Sequence, residues 1–264
     1  MPEASPFEVY AVRYGSLRAP KSELFLRHSS YGEPDAEVEM AYWFWVLRRG
    51  DETIVVDCGF APGVGARRGR TCLQAPPDAL RALGVEPESV STVLVTHLHY
   101  DHIGNLAAFP AATLIVSRRE LDFWSSPMAR RFQFASVVEE SEIALVRAAA
   151  AAGRVRLIEG TEEIAEGVTA TTVGGHSPGQ LIAVVRSERG DVVLASDAAH
   201  FYDELEFDRP FSVVGDLVEM YAAYDLLKEL ARAGAEVVPG HDPDVALRYP
   251  RVDAPGAVEA VRIG

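Results

Sequence analysis

Within residues 96–105, THLHYDHIGN, four metal-binding side chains, His97, His99, Asp101 and His102, fall in six consecutive positions. Three imidazoles and a carboxylate are costly to desolvate together unless a divalent ion accepts their lone pairs. Any fold this chain adopts must therefore present the run as a metal site. Residues 91–96 (STVLVT) read as a buried strand leading into it, and Gly104 is expected to permit a sharp turn behind it. In a turn leaving a strand, residues two apart project to one side, so His97 and His99 can share one ion while Asp101 and His102 reach towards a second.

Two ions need more ligands, and three candidates recur further along. His176 stands in VGGHSPGQ (173–180), a Gly-rich turn after the β-branched run 168–173. Asp197 follows VVLAS (192–196), and His241 follows EVVP (236–239) within PGHD. Singly, these could be a turn residue, a helix cap and a surface histidine. Together with HxHxDH they form an ordered set at strand ends.

That series, THLHYDHIGN, GGHSPG, SDAAHF and PGHD, resembles the metallo-β-lactamase-fold hydrolase superfamily, as does IVVDCG (54–59) upstream. The chain length and the YAVRYGSL segment (10–17) look most like the N-acyl homoserine lactonase branch. The resemblance spans roughly residues 7–245 and implies an α+β fold, a four-layer αβ/βα sandwich of two mixed sheets flanked by helices, while 48% hydrophobic content is enough for one core, so a single domain over residues 1–264 is expected. It also implies that His97, His99 and His176 hold one ion, that Asp101, His102 and His241 hold the other, and that Asp197 bridges both. Two divalent ions are expected, zinc first, with manganese, cobalt or iron also suited to these ligands.

A water held between two such ions loses its proton near neutral pH and can attack a carbonyl that one ion polarises. Asp101 or Asp197 could carry a proton to the departing alkoxide. The expected activity is opening of a small lactone, such as an acyl homoserine lactone. Thioester or amide hydrolysis by the same fold, or single-iron chemistry resembling the persulfide dioxygenases, are the alternatives. The lactonases carry a Tyr three residues after the bridging Asp, whereas this chain has His200 there, with Tyr202 two residues later. His200 is the expected third catalytic group, and His200, Phe201 and Tyr202 are the expected substrate contacts.

Composition narrows the partners. A formal net charge of −14 repels phosphate backbones and argues against nucleic acid. The apolar run 40–47 is too short to span a bilayer, and the acidic, Pro-containing start does not resemble a secretory signal, so a cytoplasmic protein is expected. Cys58 and Cys72 lack CxxC spacing and are expected as reduced thiols. The expected partner is a small molecule, and a homodimer is compatible with the sequence.

Strands are expected near 7–14, 38–48 and 53–57, and a Pro-led helix near 77–83. SVVE (136–139) predicts a capped helix over 136–152, and DLVE (216–219) one over 216–233. On the latter, Leu217, Met220, Tyr221, Tyr224 and Leu227 form an apolar stripe suited to packing on a sheet. Two segments could shape the pocket. FWSSPMARRFQF (123–134) could cover the metal edge, with Arg130 or Arg131 meeting a carboxylate, and FYDELEFDRPF (201–211) follows Asp197 directly. Residues 59–70, with three glycines after Gly59 and several arginines, read as a mobile loop whose charge is surface charge or an anion-recruiting lip.

Overall fold

A computed structural model describes residues 5–254 and 258–264. Two β-sheets face each other. The first contains β1 (Glu8–Pro20), β2 (Glu37–Arg49), β3 (Glu52–Val56), β4 (Thr71–Cys72), β5 (Thr92–Leu94), β6 (Thr113–Ser117), β7 (Val155–Ile158) and β13 (Glu259–Arg262), in the order β13-β1-β2-β3-β5-β6-β7 with β4 paired to β1. The second contains β8 (Thr161–Ala165), β9 (Val168–Thr172), β10 (Leu181–Ser187), β11 (Gly190–Ser196) and β12 (Glu236–Pro239), in the order β12-β11-β10-β9-β8. Helices cover the outer faces, which gives the α+β four-layer sandwich.

β2 shows why the sheets stack this way. It is apolar on both faces, so alternate residues must be buried on opposite sides. Ala41, Trp43, Trp45 and Leu47 enter an inter-sheet core with Leu181, Ala183 and Leu194 of the second sheet. Met40, Tyr42, Phe44 and Val46 enter a second core beneath the helices. The run that is too short for a bilayer is thus a central strand, and among the described residues no helix is long and apolar enough to cross a membrane.

Pairing is parallel along β3-β5-β6-β7 and between β11 and β12. The carboxyl ends of these strands consequently gather at one edge, the usual position for ligand-binding loops in such sheets. Asp57 follows β3, the His97 run follows β5, Asp197 follows β11 and His241 follows β12.

The helix at Leu217–Arg232 begins as expected, with Asp216 accepting from the Val218 and Glu219 amides at 2.8 and 3.0 Å. Its Met220, Tyr224 and Leu227 are buried, while Tyr221 is partly exposed. The SVVE expectation is corrected: that helix spans Glu140–Ala151, and residues 136–139 stay outside it. Arg68 donates to the Ser136 and Val138 carbonyls and pairs with Glu139, while the Tyr100 amide donates to the Val137 carbonyl. Glu139, needed for a capping box, is thereby taken by the segment before β4. That segment, residues 59–70, is also corrected from a loop, since it contains a helix at Pro62–Arg67. Gly104 differs too. Its φ is −65°, in the ordinary helical region, and glycine is required because a Cβ would lie 2.5 Å from the Ala61 nitrogen.

Candidate metal centre

His97, His99, Asp101, His102, His176, Asp197 and His241 are all buried and converge at this edge. Asp197 stands between two groups of candidate ligands. Its Oδ2 lies 3.3 Å from His176 Nε2, 3.8 Å from His97 Nε2 and 3.3 Å from His241 Nε2, and its Oδ1 lies 3.1 Å from His241 Nε2 and 3.3 Å from His102 Nε2. His99 Nδ1 meets His176 Nε2 at 2.9 Å on the first side, and Asp101 approaches His102 and His241 at 3.9 Å on the second. One ligand atom each from His97, His99 and His176, and from Asp101, His102 and His241, comes close enough to share an ion.

The chemistry of these atoms fits metal ions. His97 Nε2, His102 Nε2 and Asp197 Oδ1 are buried without a hydrogen-bond partner, a costly state that an ion relieves. The far nitrogens are already committed: His102 Nδ1 to Asp57 at 2.7 Å, His176 Nδ1 to the Val213 carbonyl at 2.8 Å, and His241 Nδ1 to the Ala41 carbonyl at 2.8 Å. Such contacts fix ring orientation and leave Nε2 facing inward. Burial holds His97 and His176 well below the usual histidine range and His99 down to about 3, so these rings are neutral and can offer lone pairs. Burial also opposes charge on His102, but Asp197, Asp57 and Asp101 outweigh it and raise that group well above 6.5.

Residues 39–241 match the metallo-beta-lactamase superfamily. The chain belongs to that superfamily. Among curated members it is similar to the N-acyl homoserine lactonase AttM of Azorhizobium caulinodans, 30% identical over 67% of this chain and 66% of that protein. It is also similar to an N-acyl homoserine lactonase of a Bacillus species, 24% identical over 84% of this chain and 91% of the other. Solved structures of the superfamily share the fold. A quorum-quenching N-acyl homoserine lactone lactonase has a TM-score of 0.76 at 23% identity, covering 92% of this chain and 95% of its own. AidC, a dizinc quorum-quenching lactonase, has a TM-score of 0.74 at 19% identity, covering 99% and 95%.

In this superfamily member the ligand loops rest on buried carboxylates. Asp57 accepts from the Thr96 amide at 2.8 Å, from the Thr96 hydroxyl at 2.7 Å and from His102. It adopts a φ of 62°, and Ser196, beside Asp197, a φ of 47°, left-handed conformations that side chains usually avoid and that recur at functional sites.

Glu120, unremarked in the sequence, is fully buried and joins both histidine loops. It accepts from the Leu98 amide at 2.9 Å, Trp124 Nε1 at 2.7 Å, the Ser177 hydroxyl at 2.6 Å and the Gly179 amide at 2.7 Å. Trp124 in turn sets its ring 5.7 Å from that of His99. Part of the 123–134 segment therefore reaches the metal edge, but Arg130 and Arg131 are exposed and do not line the metal pocket.

That pocket has a volume of about 320 Å³ and opens onto His99, Asp101, His176 and Asp197. Leu24, Met40, Val137 and Phe211 supply apolar walls, and Phe211 is the part of segment 201–211 that lines it. His200, Phe201 and Tyr202 do not. His200 is fully buried with its ring stacked on Phe211 at 3.8 Å, and its Nε2 lies 3.1 Å from Asp197 Oδ2. Its Nδ1 lies 3.3 Å from Glu204, which also accepts the Tyr224 hydroxyl. Burial disfavours charge on His200, but Asp197 and Glu204 prevail and hold its pKa up at about 9. Phe201 packs on Phe25, and Tyr202 lies beneath the Arg248 guanidinium.

Proposed function

We propose that this chain is a dinuclear metal-dependent lactonase that opens a small lactone, with acyl homoserine lactones the first substrates to test. The observation that carries the proposal is Asp197, whose carboxylate stands between the two sets with a histidine nitrogen of each within 3.3 Å. Its similarity to N-acyl homoserine lactonases supports the substrate class. In this reading His97, His99 and His176 hold one ion, Asp101, His102 and His241 the other, and Asp197 bridges them. The ions, zinc by preference, supply Lewis acidity towards the lactone carbonyl and an activated water.

The remaining work falls to the chain itself. Apolar side chains around the pocket mouth shed water from the bound substrate and leave the ring carbonyl facing the ligands. Asp101, a pocket-lining carboxylate, accepts a proton and returns it to the departing ring oxygen. His200 acts through Asp197 as a positioning residue, held from behind by Glu204. A single-ion oxygenase reading would leave the group of Asp101, His102 and His241 without a role. We also place the enzyme in the cytoplasm, a reading supported by the free thiols of Cys58 and Cys72.

The test is a pH-indicator assay of metal-loaded protein against lactones, thioesters and β-lactams, with Asp101→Asn as control. Acid release from lactones by wild type alone supports the proposal. Equal release by both proteins for every compound refutes it.

A further inference from the structure

The metal pocket holds a positive charge that the metal chemistry does not use. Arg70 lines it, and its guanidinium is held by groups that cannot neutralise it. Nε donates to the Tyr100 hydroxyl at 2.9 Å and to the Tyr42 hydroxyl at 3.2 Å, and Nη1 donates to the Arg68 carbonyl. Among the described residues Nη2 has no hydrogen-bond partner, and no carboxylate comes within ion-pair distance of Arg70. Its neighbours behave differently, since Arg67 and Arg68 both pair with Glu139. In a chain with 39 acidic against 25 basic side chains, a partly buried arginine without an acid is expected to serve a ligand.

The location agrees with that use. Tyr42, which grips Arg70, sets its ring 4.9 Å from that of His241, so the guanidinium stands one aromatic ring away from the second ligand set. Arg18 of β1 also lines the pocket and has no acidic partner among the described residues. The pocket-lining carboxylates are Asp101 and Asp197, both turned to the histidines, and Glu23, which is exposed at the mouth.

We propose that Arg70 determines specificity by binding a carboxylate on the acyl portion of the substrate, so that the preferred lactone is an anionic one. The proposal rests on the lactonase reading for the bond that is broken, but not for the anion. Guanidinium binds carboxylate through paired N–H donors, and Nη2 is the donor still available.

The test compares N-hexanoyl homoserine lactone with its adipoyl counterpart, which ends in a carboxylate, on wild type, Arg70→Met and Arg70→Lys of equal metal content. Wild type should favour the acid, and Arg70→Met should lose about tenfold more kcat/KM on the acid than on the neutral lactone, as expected for one charged hydrogen bond, with partial recovery in Arg70→Lys. Equal losses on both substrates, or no preference in wild type, overturn the proposal. If wild type opens neither lactone, the lactonase reading fails, and calorimetric titration with adipic acid monoamide still decides the role of Arg70. Binding about tenfold weaker in Arg70→Met upholds it, whereas equal binding, as when the probe sits on the ions alone, overturns it.

Discussion

Removing the Glu120 carboxylate should loosen both histidine loops at once. Glu120→Ala strips one acceptor from four donors. The Ser177 hydroxyl can rotate to another partner, but the Leu98 and Gly179 amides and Trp124 Nε1 are left unpaired in the interior. At about 1–3 kcal/mol per orphaned donor the gross cost is several kcal/mol, and relief from burying a charged carboxylate reduces it to a net loss of about 3 kcal/mol. Glu120→Gln is more selective. Its carbonyl can keep the three donors that Oε1 serves, but its NH2 must then face the Gly179 N–H, two donors in opposition. The Gln variant should therefore disturb the His176 loop more than the His97 run. Denaturant unfolding of the metal-free protein measures the first effect, and competitive titration with a chromophoric chelator measures the second, expected as about 10–100-fold weaker binding. The reasoning is refuted if both variants unfold within about 1 kcal/mol of wild type and bind metal as tightly.

Three further outcomes follow from the same packing. A Cβ on Gly179 would lie 2.3 Å from the Glu120 backbone nitrogen, so Gly179→Ala should cost about 1–3 kcal/mol and weaken metal binding; unchanged stability would show that the loop can shift freely. Burial, reinforced by Glu139, raises the Glu142 carboxyl from 4.5 to about 7, so the folded chain keeps a proton that the unfolded chain has released. That contribution is complete below the unfolded value and is lost as pH rises through about 7, so the unfolding-midpoint advantage of Glu142→Gln should grow between about pH 5 and pH 8; a constant difference counts against it. Trp43 fills the inter-sheet core and donates to the Asp242 carbonyl at 3.1 Å beside His241, so Trp43→Ala should destabilise by about 3–5 kcal/mol in chemical unfolding, and a loss below about 1 kcal/mol would contradict the packing account.

The candidate metal site was legible because its signal is local and chemical: potential ligands crowd into six positions or stand at the ends of apolar runs. Apolar patterning likewise marked β2, and Asp216 marked the start of its helix. Supporting groups were harder to see. Glu120 and Glu204 look like ordinary acids of short helices, and their roles arise only when distant loops fold onto them. The available hint was an acid among aromatics, Glu120 four residues before Trp124 and Glu204 between Phe201 and Phe207. Arg70 was hidden similarly, because its tyrosine partners come from residues 42 and 100. At SVVE a sound local rule lost to tertiary competition, since Arg68 takes Glu139 away from the cap.

The central claim is that Asp197 joins two ion sites. Metal analysis of wild type and Asp197→Ala, each reconstituted with zinc and freed of excess, tests it most directly. The account predicts two ions per wild-type chain, with both sites weakened together in the variant. One ion per wild-type chain, or a variant that retains two at unchanged affinity, would contradict it.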